Sequence, residues 1–191
     1  MIVLQKYQTF SKRFIAGLID GLIFLPFAFL DNRIANSNNK SLFIGWMLFH
    51  LICWTLYVVI GHGRFGQTIG KRLMGIKVFD ITEQHVIGYK RAFLRESVWF
   101  LAEIVGIIYL IVSTFNDSNF NQDLYDTYYS SIVGLISAIW LILELITMLF
   151  NNKRRALHDF IAGSVVVDLN KLQREDLQKR KQELLASLQN K

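Results

Sequence analysis

Apolar positions in this chain fall into four long blocks: 14–30 (FIAGLIDGLIFLPFAFL), 42–60 (LFIGWMLFHLICWTLYVVI), 98–115 (VWFLAEIVGIIYLIVSTF) and 132–150 (IVGLISAIWLILELITMLF). Each block holds at most one formally charged residue. A helix rises about 1.5 Å per residue and needs roughly 20 apolar residues to cross ~30 Å of hydrocarbon, so each block predicts a transmembrane helix. The competing reading is a soluble all-α bundle with buried helices. The polar stretches after the second and fourth blocks match one another in outline. GKRLMGIKVFD ends in Gly75 to Asp80, and HDFIAGSVVVD ends in Gly163 to Asp168. Each reads as a short amphipathic helix, a glycine stop, and a β-branched or aromatic strand closed by aspartate. A lone strand in each half has no partner of its own. The two are therefore expected to pair as a two-stranded ribbon against the bilayer, where open backbone groups are costly.

The expected fold class is thus an all-α polytopic membrane protein. Its four transmembrane helices form a tandem two-helix repeat, each pair followed by a short cytoplasmic surface helix and strand. The membrane domain covers 10–168, and 169–191 (LNKLQREDLQKRKQELLASLQNK) reads as a charged cytoplasmic C-terminal helix.

Charge sets the orientation. Of the 21 Lys and Arg residues, Arg33 and Lys40 alone lie between the first and second blocks, and none lies between the third and fourth, where Asp117, Asp123 and Asp126 occur. The rest flank the opposite ends of the blocks. By the positive-inside rule both termini and the middle loop are cytoplasmic, in a multi-pass protein of a cell (inner) membrane. The net charge of +6 follows these loops, so nucleic acid is not an expected partner, whereas the bilayer and its anionic headgroups are. The first block contains Asp20 and no small-residue cleavage site follows it, so it reads as a retained helix and not a signal peptide. Cys53, the single cysteine, lies in the second block and has no disulfide partner.

Charged groups inside a bilayer are expensive and are functional candidates by default. Asp20, Glu103 and Glu144 fall at one depth, roughly 10 Å inside the cytoplasmic face, where they could bind a cation, exchange protons or hold helices together. Arg13 precedes Asp20 by seven residues and Arg95 precedes Glu103 by eight, spacings that share a helix face. They are the expected counter-charges. His50 and Cys53 have the i, i+3 spacing of metal ligands, but two ligands are not a site and an interhelical hydrogen bond is the expected state of His50. His158 and Asp159 are adjacent, so on a helix they point about 100° apart and form no dyad. No nucleophile–base set occurs, so neither an enzyme nor a cofactor or metal is expected.

Gly61-x-Gly63-x-x-Gly66 has the spacing of a dinucleotide turn, yet it follows a membrane helix instead of a strand and lacks the later acidic residue. Gly70-Lys71 is followed by Arg72, not by Ser or Thr as a phosphate loop requires. Gly66, Lys71 and Arg72 therefore read as a membrane-surface elbow that could contact an anion at the cytoplasmic mouth.

SKRFIAGLIDGLIF with Arg13 and Asp20, FGQTIGKRLMGIKVFD, RAFLRE with Arg91 and Arg95, and RRALHDFIAGSVVV with Asp159 occur in that order. Together they resemble the signatures of RDD-family membrane proteins, named for one arginine and two aspartates. The resemblance spans about 10–168 and makes Asp159 the second aspartate; Ser164 stands where threonine is expected. It implies transport of a small ligand, with monovalent cation/proton exchange proposed for some members, while eukaryotic relatives in protein-degradation complexes suggest scaffolding. The leading expectation is exchange of a small cation for protons at Asp20, Glu103 and Glu144. Arg13 and Arg95 would oppose them, and Lys71, Arg72 and Asp159 would shape the cytoplasmic mouth. Four spans are few for one transporter, so a homo-oligomer is expected. The rival is a membrane scaffold whose charges are packing devices and whose loops bind a partner.

Overall fold

The computed structural model describes residues 5–37, 39–116 and 134–189, and most of these are helical. After a short turn at Gln5–Tyr7, α1 runs over Phe10–Ala35 and α2 over Lys40–Ile60. Asn39 starts α2 as an N-cap, its side-chain oxygen accepting the Leu42 N–H at 3.1 Å. The helix then widens into one π-helical turn, Gly61–Phe65, which stops at Gly66. Gly66 has φ +73°, and a Cβ there would lie 2.7 Å from the Val78 carbonyl, so both the turn and the packing demand glycine. Next come α3 (Ile69–Leu73), capped by the Thr68 hydroxyl, and strand β1 (Ile76–Asp80). Helix α4 covers Gly88–Asn116 and α5 covers Gly134–Leu149. The chain closes with α6 (Leu157–Ala162), β2 (Ser164–Asp168) and α7 (Leu169–Gln189).

The helices α1, α2, α4 and α5 grow from the four apolar blocks. Residues 132 and 133 of the last block lie outside the described residues, as do Asp117, Asp123 and Asp126. Two stretches, Gln5–Ala35 and Lys40–Phe65, are long and apolar enough to cross a membrane, and α5 is a shorter apolar helix. Their outward faces carry large apolar side chains: Leu22 is 65 % and Phe29 69 % exposed on α1, and Leu141 is 64 % exposed on α5. In water each would forfeit about 1.5–3 kcal/mol that contact with hydrocarbon recovers.

Strands β1 and β2 pair antiparallel, with Val78 opposite Val166. Ile76, Val78 and Val166 pack against Ala16, Ile87 and Ala92 from α1, the loop before α4, and α4 itself. Val165 and Val167 on the other face pack with Tyr7 and, less deeply, Phe79 and Leu172. A strand buried on both faces has no polar side to show, which accounts for the unbroken valine run. At the far end of the bundle Ala35, Phe43, Met47, Ile107 and Leu110 join α1, α2 and α4.

Helix α3 lies tightly against α1 at Gly70. A Cβ on Gly70 would stand 2.1 Å from the Ala16 carbonyl oxygen and 2.9 Å from Asp20 Oδ1. Backbone cannot swing aside as a side chain can. Gly70→Ala is therefore expected to lower stability by about 1–3 kcal/mol, read as a fall in melting temperature of the detergent-purified protein. An unchanged melting temperature would contradict the close packing.

Candidate functional site

Two buried polar centres at the helix ends and one cavity are the candidates for function. The first centre is built on Asp159, the third residue of α6. From that position its Oδ2 reaches back to accept the Ala156 N–H at 3.0 Å, satisfying a backbone donor the short helix leaves open. Ser164 Oγ donates to Oδ1 at 3.1 Å. Arg13 Nη1 donates to Oδ2 at 2.6 Å, and Arg95 Nη2 lies 3.1 Å from Oδ1. Arg13 is held in turn by the Thr9 hydroxyl at 2.9 Å and the Arg154 carbonyl at 3.2 Å. The carboxylate is fully buried and Arg95 is 3 % exposed. Burial alone would raise the Asp159 carboxyl, but the charges of Arg13 and Arg95 hold it well below the usual carboxylate range. The ends of α1, α4 and α6 are thus tied through one aspartate.

Two polar chains leave Arg95. Its Nη2 contacts His158 Nε2 at 2.6 Å, and His158 Nδ1 contacts the Glu144 carboxylate. A guanidinium only donates, so Nε2 accepts, and the Nδ1 proton goes to Glu144. The adjacent His158 and Asp159, expected to diverge, both reach Arg95, with Nε2 and Oδ1 3.5 Å apart. The other chain passes from Arg95 Nε to Glu96 Oε1 at 4.0 Å, on to His62 Nδ1 at 3.4 Å, and from His62 Nε2 to Lys71 Nζ at 2.6 Å. Burial and the nearby Arg95 push the Lys71 ammonium down to about 8. Burial pushes Glu96 up, yet His62 and Arg95 hold it at about 2.

The second centre is Asp20, 5 % exposed. Tyr57 OH donates to Oδ1 at 2.5 Å, the Gly70 N–H donates to the same oxygen at 2.7 Å, and the Thr68 hydroxyl donates to Oδ2 at 2.6 Å. The aspartate thereby caps α3 from outside and sets it against α1.

Between α2 and α4 lies a cavity of about 370 Å³ lined by His50, Trp54, Glu96, Trp99, Phe100 and Glu103, among others. Behind it, His50 Nδ1 is 3.5 Å from Asp31 Oδ2, and the Trp46 indole N–H also reaches Asp31.

The three acids expected at one depth therefore have separate surroundings. Asp20 is taken by Tyr57, Thr68 and Gly70, Glu144 by His158, and Glu103 lines the cavity. Arg13 was expected opposite Asp20 and Arg95 opposite Glu103, but both meet on Asp159. Seven residues of helix separate two groups by about 10 Å along the axis, so the carboxylate of α6 is nearer to each arginine than its own helix's acid. Arg72 is exposed and stands apart from these centres, Gly66 serves the turn, and His50 turns to Asp31. Among the described residues no three His, Cys, Asp or Glu side chains gather as a metal would require. Sequence reasoning missed Glu96, His62, Tyr57 and Thr68, and gave Ser164 no partner. Two signals were present: Glu96 and Glu103 share a helix face seven residues apart, and Thr68 stands where an N-cap belongs.

No curated protein and no solved structure matches the chain. The family model described as "RDD family" matches residues 7–163, a stretch that contains Arg13, Asp20, the cavity wall of α2 and α4, and Asp159. With most of its length matched, and two helices apolar enough to cross the bilayer it contacts, the chain belongs to the RDD family and is an integral membrane protein.

Proposed function

We propose that the protein crosses the membrane four times, with both termini and the α3–β1 and α6–β2 segments in the cytoplasm, and exchanges a small cation for protons along the space between α2 and α4. The observation that carries this is the cavity with Glu96 and Glu103 in its wall. An acid within a bilayer costs several kcal/mol and is kept where it faces a path or a partner. Glu96 sits at the cytoplasmic mouth beside His62 and Lys71, Glu103 lies about 10 Å deeper along α4, and His50 with Asp31 continues beyond it. In this mechanism a proton and a cation compete for Glu103, while Glu96 stays ionised at the mouth beside His62. Asp20 and Glu144 lie outside the cavity wall and drop out of the path.

The α3–β1 and α6–β2 units, each stopped by a positive-φ glycine at Gly75 or Gly163, support the tandem repeat. The basic cytoplasmic face, with Arg72 exposed, suits anionic headgroups. A homo-oligomer would complete a path that four helices enclose poorly, and no enzymatic step is part of this reading. One observation favours the scaffold reading for part of the molecule: Asp159 is saturated by Arg13 and Arg95 and dry, so that cluster holds helices and moves no ion.

The test is purified protein in liposomes with a trapped pH dye, pulsed with Na+, K+, Li+ or tetraethylammonium. The wild type is expected to move protons. Glu103→Gln is expected to slow exchange, per amount of folded protein, by at least about tenfold, matching the ~1.4 kcal/mol or more lost with a charged ligand. Exchange that Glu103→Gln leaves intact, or a wild type inert to every cation pulse, sinks the reading.

A further inference from the structure

The walls of the cavity say more about the cation than its two carboxylates do. A volume of about 370 Å³ falls in the range that holds small organic ligands. A dehydrated alkali ion is far smaller and needs a close shell of oxygens to replace its water. Here the side-chain oxygens in the wall come from Glu96, Glu103 and Thr55, and Oε1 of Glu96 already faces His62 and Arg95. Much of the remaining lining is aromatic: Trp54 from α2, and Trp99 and Phe100 from α4. Trp54 is held in place by Phe24, edge to face, with ring centroids 4.8 Å apart. Aromatic rings attract cations through their quadrupole, and do so best for ions that shed water readily. Quaternary ammonium and phosphonium ions meet that condition, and Na+ and Li+ do not.

We propose that the cavity between α2 and α4 binds a lipophilic organic monocation, with Trp54, Trp99 and Phe100 as its aromatic wall and Glu103 as its counter-charge. This rests on the transport reading above for what the site is for, but not for the binding itself. A cation of this class partitions into the bilayer and can enter from the lipid between α2 and α4. Glu103 exchanges it for a proton, one positive charge for another.

The experiment uses full-length protein in detergent and tetraphenylphosphonium as the probe, with binding measured by equilibrium dialysis. Saturable binding is expected, unaffected by a large excess of Na+. Glu103→Gln should weaken it about tenfold and Trp99→Leu about fivefold, while Trp99→Phe, which keeps a ring and its packing, should bind nearly as the wild type. Uptake that never saturates, that Na+ abolishes, or that all three variants share with the wild type overturns the proposal. The liposome assay separates the two ideas. Proton movement on an alkali-ion pulse without phosphonium binding leaves transport standing and removes the organic cation. Binding without any exchange keeps the site and removes transport.

Discussion

Asp159→Asn is expected to destabilise the protein by about 3–5 kcal/mol, the usual result of breaking a buried ion pair from one side. The carboxylate takes four donors: Arg13, Arg95, the Ser164 hydroxyl and the Ala156 N–H. An amide offers one acceptor oxygen and turns an N–H against a guanidinium. Arg13 then loses its carboxylate, and Arg95 keeps only the longer contact to Glu96 at 4.0 Å. Adding Arg13→Gln to Asp159→Asn should restore part of the loss, because one stranded charge goes with it. Arg72→Gln, at an exposed site on α3, is the control and should stay within about 0.5 kcal/mol of the wild type. Melting curves in detergent read all of these. An Asp159→Asn variant that melts with the wild type would remove the cluster from the account of stability.

The same cluster fixes a pH dependence. The Asp159 carboxyl is held well below its ordinary value, with burial opposing and the two arginines outweighing it. A depressed carboxyl contributes stability that is fully present above the unfolded value of about 3.9 and is lost as pH falls through the lower folded value. The difference in melting temperature between wild type and Asp159→Asn should therefore be flat from pH 7 to pH 5. It should close only on acidification below about pH 4. A difference that closes near pH 6 would separate the effect from the Asp159 carboxyl.

How much of this was legible in the sequence depends on the range of the interaction. The helices α1, α2, α4 and α5 follow from block length, and the stops at Gly75 and Gly163 follow from the residues around them, because both are local. The residues of the main cluster were also legible one by one: Arg13, Arg95, His158 and Asp159 each stand out near a helix end. Their pairing was not. Arg13 and Asp159 are 146 residues apart, and helical periodicity ranks partners only within one helix, so it offered Asp20. Glu96 drew no reading of its own, because it falls just outside the apolar block that starts at 98. Its role depends on His62, which reaches it from a π-helical turn that glycine-rich sequence reads only as an elbow. Tyr57 and Thr68 were invisible for a related reason. A hydroxyl is unremarkable in sequence until a carboxylate from another helix is placed against it.

Asp20 shows how the structure separates two roles that sequence assigns to one residue, and Asp20→Ala is expected to cost about 2–3 kcal/mol. It strands three donors, but not equally. The Tyr57 and Thr68 hydroxyls can rotate to other acceptors, and Tyr57 already accepts the Ile69 N–H at 3.0 Å. The Gly70 N–H cannot move, because the close packing of Gly70 on Ala16 fixes it in a dry interface. Asp20→Asn should be milder, about 1 kcal/mol. Its oxygen can take the place of Oδ1 and keep Tyr57 and Gly70, and its N–H can donate to the Thr68 hydroxyl, which accepts as well as donates. The expected order of melting temperature is wild type, then Asp20→Asn, then Asp20→Ala. Cation–proton exchange by Asp20→Asn should survive in proportion to folded protein, unlike that of Glu103→Gln. Should Asp20→Asn instead stop exchange while melting as predicted, the aspartate beneath α3 would belong to the ion path, and the cavity between α2 and α4 would be only part of it.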